Sequence, residues 1–147
     1  MRRVEASALI ASSAERVFAL YDDIPNTPDW VPFVAEILFV SPGRTGIGTV
    51  YREKTRLAGL PSVSEWRVAD HRPPREQVHV STDLGMDSRL TITFVTRGSG
   101  TMLTQQVDLR SRLPGPFGWL HELIAAAVAS GGMQGAVTGA KKALESN

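Results

Sequence analysis

Val4, Ala6, Ala8 and Ile10 alternate with Arg3, Glu5, Ser7 and Leu9 at the head of the chain, a period of two that predicts a half-buried first strand. The period then changes. Ser12 and Glu15 have capping-box spacing, and Val17, Phe18, Leu20, Tyr21 and Ile24 recur at helical intervals behind them, predicting a helix that starts at Ser12. Pro25 and Pro28 end it, and the apolar run Asp29-Trp30-Val31-Pro32-Phe33-Val34 predicts a short second helix or a packed turn. From 36 to 112 alternation returns in about six segments. They are cut by Pro42-Gly43, Gly59-Leu60-Pro61, Arg72-Pro73-Pro74, Asp83-Leu84-Gly85 and Arg97-Gly98-Ser99-Gly100, and connections this short predict an antiparallel meander. Leu113-Pro114-Gly115-Pro116 closes the strands. Residues 117 to 144 carry no proline and enough alanine, leucine and valine for one long helix, in which Gly131, Gly132, Gly135 and Gly139 leave room for a kink.

Strand parity sorts the predicted sheet into two faces, because successive side chains alternate. Arg52, Lys54 and Arg56 suit solvent, which turns Thr49, Tyr51, Glu53, Thr55 and Leu57 inward. The same reasoning turns Ser64, Trp66 and Val68 inward, then Val78 and Val80, then Leu90, Ile92 and Phe94, then Leu103, Gln105, Val107 and Leu109. The expected inner face is apolar with a few polar positions, the usual make-up of a small-molecule site. Glu53 is its one acid. It should accept hydrogen bonds from Tyr51 or Gln105, or else hold its proton, and it is the candidate catalytic acid or base. Phe117, Leu120, Ile124, Ala127 and Gly131 form a stripe along the last helix that is expected to face the sheet.

Strand, two short helices, six-stranded meander and long final helix: that order resembles the helix-grip fold of the START-like (SRPBCC) superfamily, in particular its bacterial polyketide cyclase/dehydrase-like branch. Ala14-Glu15-Arg16-Val17-Phe18, Asp23 with Pro28-x-Trp30-x-Pro32, Gly46-x-Gly48, Thr91-Ile92-Thr93-Phe94, Gln105-Gln106-Val107-Asp108 and Leu113-Pro114 are similar to that branch's pattern. The resemblance implies an α+β helix-grip fold: a curved antiparallel sheet of about seven strands wrapped around the long C-terminal helix, with two short helices after strand one. It also implies an internal cavity, and Trp30 and Trp66 match positions where aromatic polyketide cyclases of this branch carry tryptophan. The candidate ligand-binding residues are Trp30, Phe33, Tyr51, Glu53, Thr55, Ser64, Trp66, Ile92, Gln105, Phe117, Leu120 and Ile124.

Composition narrows the remaining classes. At 147 residues a chain buries roughly two-thirds of its unfolded surface, so residues 1–147 read as a single domain. No cysteine is present, which removes disulfides, thiolate metal sites and a cysteine nucleophile and suits a cytoplasmic setting. Sixteen Lys and Arg against fifteen Asp and Glu, unclustered, exclude a phosphate-tracking face, so nucleic acid is not an expected partner. Met1-Arg2-Arg3 is followed by no signal-peptide apolar region, and no window of 18 to 20 apolar residues stands out as an integral membrane segment.

His71 and His79 read as a solvated pair on the outer face of the Pro73-Pro74 hairpin, too few for a metal site. His121 sits at the start of the last helix, near the expected cavity mouth. Asp22, Asp23 and Asp29 read as helix-end and turn residues. Neither a metal nor a cofactor is called for. The expected function is binding of a hydrophobic small molecule (a polyketide, lipid or aromatic) between sheet and last helix, in a monomer or homodimer. The alternatives are a polyketide cyclase or dehydratase that uses pocket polar groups, and a protein-interaction module.

Overall fold

The computed structural model describes residues 1–57 and 59–146. The first alternating stretch is strand β1 (Arg2–Ile10), followed by helix α1 (Ala14–Asp22). The meander runs β2 (Val34–Val40), β3 (Val50–Leu57), β4 (Leu60–Arg72), β5 (Glu76–Ser81), β6 (Met86–Arg97) and β7 (Gly100–Ser111). Helix α2 (Gly115–Glu145) completes the chain. The strands form one antiparallel sheet in the order β1-β7-β6-β5-β4-β3-β2, so the chain's first strand pairs with its last. This is the α+β, helix-grip-like architecture expected from the pattern.

Local chemistry explains the boundaries and two departures from expectation. The cap of α1 is Ser13, whose side chain accepts from the Arg16 amide at 3.2 Å. Ser12, the expected cap, is one residue early and buried; its carbonyl receives the Thr101 hydroxyl at 2.7 Å. The short second helix is a 3-10 helix over Ile24–Asp29, ahead of the 29 to 34 run in which it was expected. Pro25 falls in its first turn, where a missing N–H costs nothing. Val17, Phe18 and Tyr21 bury one face of α1, with Phe18 and Tyr21 tilted against Phe94 at ring separations of 5.0 and 5.3 Å.

Helix α2 is one uninterrupted helix despite its glycines. An 18-residue window of it has mean hydropathy 1.3, so by length and composition it passes as a membrane span, contrary to the sequence expectation. In the fold it is the core helix: Met133, Ala136, Val137 and Ala140 are buried against β1 and β7. Burial of side chains such as Val137, Ile10 and Leu103 contributes about 1.5–3 kcal/mol each. Polar clasps hold both ends of the helix. Glu122 accepts from the Ser111 amide at 2.9 Å and pairs with the chain's terminal ammonium at 3.0 Å. Glu145 accepts from the Ala11 amide and from Lys141, each at 2.8 Å, while Lys141 also donates to the Leu9 carbonyl at 2.7 Å. Because α2 lies on the β1–β7 side, the β3–β5 side of the same sheet face is left uncovered beneath it.

A bulge changes the parity of the sheet. Val68 pairs with His79 but Asp70 pairs with Val78, so Ala69 is an extra residue in β4. Beyond it every side chain of β4 changes face, which brings His71, paired with Gln77, to the inner side. On β5 the inward residues are Gln77, His79 and Ser81, and all three are buried. Val78 and Val80, expected inward, point to the opposite face; His71 and His79, expected outward, do not.

Candidate functional site

The uncovered part of the sheet and α2 enclose a cavity of about 470 Å³. Its floor is the inner face of β3 to β7 and its roof is the stretch of α2 from His121 to Ala136. One end is closed by Tyr21, Ile24, Trp30 and Phe33 from the α1 to β2 segment. At the other end Leu60, Leu84 and Ile124 line the cavity while remaining 71%, 76% and 57% exposed, so they form its mouth.

Ten of the twelve candidate residues are brought together here: Trp30, Phe33, Tyr51, Glu53, Thr55, Ser64, Trp66, Ile92, Gln105 and Ile124. Phe117 and Leu120 are not, being 70% and 49% exposed and outside the lining. The inward stripe of α2 is His121, Ala125, Val128, Gly132 and Ala136, rotated about one position from the one expected. The cause is that α2 is apolar on all sides, so apolarity does not select a face. Close approach does: a Cβ on Gly139 would stand 1.9 Å from the Trp30 carbonyl oxygen, and one on Gly132 would stand 3.1 Å from Leu57. Small residues therefore set which side can face the sheet.

The polar groups fall into two sets. Near the closed end, the Tyr21 hydroxyl donates to Gln105 Oε1 at 2.5 Å, and burial raises the Tyr21 phenol above its ordinary range. On the β3 to β5 wall, Tyr51 and His79 meet with Oη 2.6 Å from Nδ1. His79 Nε2 lies 2.9 Å from Gln77 Oε1, and Gln77 Nε2 donates to Asp22 Oδ1 at 2.7 Å. His71 Nε2 reaches the same Asp22 oxygen at 2.9 Å. Burial, helped by the nearby His71, lowers His79 to about 4, so its imidazole is neutral at ordinary pH. Desolvation, with the Glu53 charge adding to it, pushes the Tyr51 phenol well up.

Glu53 lies on the cavity wall beside Tyr51, paired across the sheet with Ile37 and Ser64 and flanked on its own strand by Tyr51 and Thr55. Neither Tyr51 nor Gln105 donates to it as expected: the Tyr51 hydroxyl is at His79, and Gln105, whose oxygen takes the Tyr21 proton, lies across the sheet on β7. Burial instead raises its carboxyl to about 7, against a weaker opposing pull from the Trp66 indole N–H. That N–H stays short of a formed hydrogen bond: among the described residues Trp66 Nε1 has no partner, and neither has Trp30 Nε1. Two donor-only groups are thus left unpaired in a mostly apolar enclosure. At about 7 the Glu53 carboxyl can donate or accept a proton near neutral pH.

Sequence reasoning missed Asp22, Gln77, His79 and Ser81. The available signal was the order Gln77-Val78-His79-Val80-Ser81, whose polar positions alternate as strictly as its valines. Among the described residues no three His, Asp or Glu side chains come together to hold a metal ion.

A comparison with curated proteins found no match. Solved structures share the fold. The Zhui aromatase/cyclase from Streptomyces sp. R1128 superposes with a TM-score of 0.84 at 18% identity, covering 98% of this chain and 93% of that one. A START superfamily protein from Mycobacterium smegmatis gives 0.78 at 17%, covering 98% and 97%. A protein from Thermus thermophilus gives 0.77 at 20%, covering 99% and 98%. Identities this low carry the architecture and not the activity. The family "Polyketide cyclase / dehydrase and lipid transport" is matched over residues 1–145, from β1 to the last turn of α2, and the chain belongs to that family.

Proposed function

We propose that this domain binds a hydrophobic small molecule of polyketide, lipid or aromatic type in the cavity between the sheet and α2. The observation that carries the reading is the cavity itself. Its volume of about 470 Å³ falls within the range of roughly 300–1,000 Å³ typical of small-molecule sites. Its walls are mostly aliphatic and aromatic, and a few polar groups converge on it. The unpaired Trp30 and Trp66 N–H groups fit a ligand that carries hydrogen-bond acceptors on an apolar frame. The cysteine-free chain suits cytoplasmic work, as a monomer or homodimer. Native mass spectrometry of gently purified protein is the test. A bound mass that leaves on unfolding is expected, or, from emptied protein, saturable uptake of N-phenyl-1-naphthylamine. Protein that carries no ligand and takes up no probe overturns the reading.

A second reading, cyclisation or dehydration of a polyketide, is favoured by Glu53. A carboxyl at about 7 on the cavity wall has the proton affinity a general acid or base needs. The aromatase/cyclase that shares the fold supports it by analogy only. Turnover of a poly-β-ketone thioester by the wild type, lost in Glu53→Gln with binding retained, is the expected result. Equal product from buffer and enzyme removes this reading and leaves the first.

A further inference from the structure

The chain of contacts from Asp22 to Tyr51 has a direction, and that direction sets what Tyr51 offers a ligand. Asp22 Oδ1 can only accept, so the Gln77 group 2.7 Å away is its NH₂, and the Gln77 oxygen faces His79. The opposite amide orientation would set oxygen against oxygen. An oxygen 2.9 Å from His79 Nε2 requires the proton on Nε2, and in the neutral ring this leaves Nδ1 as a bare lone pair. The Tyr51 hydroxyl, 2.6 Å from Nδ1, therefore donates its proton to His79. Tyr51 has one O–H, so what remains at Oη is lone-pair density. Tyr51 and His79 both line the cavity.

We propose that Tyr51 is an acceptor site for a hydroxyl group of the ligand, oriented by His79, Gln77 and Asp22, and that the ligand class is an apolar ring or chain bearing a phenolic or enolic O–H. The proposal rests on the small-molecule reading above. A carbonyl or ether oxygen at this point would face the Tyr51 lone pairs and leave them unpaired, which is how a buried polar site rejects an analogue lacking the matching group. The direction of donation holds as Glu53 titrates near neutrality, because its charge only raises the Tyr51 phenol further. Burial keeps the His79 ring from protonating, the Tyr51 phenol holds its proton, and the other groups that face the pair are His71, Gln77 and, two residues along β3, Glu53. Gln77 and Asp22 are positioning residues: they touch His79 or each other, not the ligand.

The test uses 2-naphthol and 2-methoxynaphthalene, which share a ring system and differ in the hydroxyl hydrogen, as competitors of N-phenyl-1-naphthylamine. Wild type is expected to prefer 2-naphthol about five- to tenfold, the range of one hydrogen bond to a buried acceptor. Tyr51→Phe and His79→Phe should each bring the two probes within about twofold, the second because the freed Tyr51 O–H can donate to the methoxy oxygen. In parallel, ¹⁵N NMR of the unliganded wild type between pH 6 and 8 should show His79 as the Nε2–H tautomer, and Gln77→Leu should lose that fixed signature. The NMR arm needs no variant to fold. An Nδ1–H tautomer in the wild type, equal binding of the two probes, or an undiminished preference in folded His79→Phe overturns the acceptor site. If neither naphthalene nor the reporter binds, the small-molecule reading itself fails; if all bind without preference, only the acceptor site does.

Discussion

Tyr21 and Gln105 are joined across 84 positions of sequence by a hydroxyl-to-amide hydrogen bond of 2.5 Å, which ties the last turn of α1 to the middle of β7. Tyr21 also sets its ring edge against Trp30 at 4.8 Å and Phe94 at 5.3 Å, so it helps to close the inner end of the cavity through both packing and polarity. Tyr21→Phe keeps the ring and strands the Gln105 oxygen. A loss of about 1–2 kcal/mol in urea unfolding is expected, with the near-UV signature of the native fold retained. An unchanged midpoint would mean the bond contributes nothing net.

Two helix glycines that look alike in sequence are expected to respond in opposite directions. A Cβ on Gly139 meets the Trp30 carbonyl at 1.9 Å, whereas one on Gly131 meets none of the described residues within 4 Å. Gly139→Ala should destabilise by about 1–3 kcal/mol, as overpacking does, and Gly131→Ala should stabilise by up to about 1 kcal/mol through helix propensity alone. Thermal melts of the two variants side by side decide the matter.

Glu53 and His79 should pull stability in opposite directions over nearly the same pH range. The Glu53 carboxyl is raised to about 7 from 4.5, so the folded state holds a proton that the unfolded state releases, and stability falls as pH rises from about 4.5 to 7. His79 is lowered to about 4 from 6.5, so the unfolded state takes up the proton first, and stability falls as pH drops from about 6.5 to 4. The His79 effect is about 3 kcal/mol, and that of Glu53, which is partly exposed to the cavity, is smaller, on the order of 2 kcal/mol. Subtracting the unfolding free energy of Glu53→Gln from that of the wild type across pH should isolate the first slope, and the same subtraction with His79→Phe the second. Slopes of one sign in both would refute the assignment.

Trp66 and Phe117 separate cavity from surface. Trp66→Ala removes a wall of the cavity and should weaken N-phenyl-1-naphthylamine binding at least tenfold, beyond any change explained by stability. Phe117→Ser, at a 70% exposed position outside the lining, should leave that affinity within about twofold. Fluorescence titration of both reads the contrast directly, and a Phe117 variant that binds as poorly as the Trp66 variant would place the probe on the helix surface.

The alternating apolar pattern was enough to place seven strands, the short helical break after β1 and the long final helix, because each of those elements is specified by its own residues. Val4 to Ile10, the turn glycines at Gly59, Gly85 and Gly98, and the proline-free run after Pro116 act locally, and local signals survive folding unchanged. Parity also put Tyr51, Glu53 and Thr55 on the correct face, since β3 carries charge on alternate positions and no bulge interrupts its pairing with β4. What depended on partners could not be read this way. One extra residue in β4, Ala69, exchanges the faces of everything after it, and because Asp70, His71 and Arg72 beyond it are all polar, no apolar residue of β4 marks the change of phase. His71 and His79 thereby become parts of a buried network instead of a solvated pair. The face of α2 was decided likewise by contact. Its apolar residues surround the helix, and the close approaches of the Trp30 carbonyl to Gly139 and of Leu57 to Gly132 select the side that faces the sheet, leaving Phe117 and Leu120 outside and the cavity beneath Gly132 and Ala136. Individual elements follow from short-range periodicity, whereas register and helix rotation are set by side chains distant in sequence that meet only once the chain has folded.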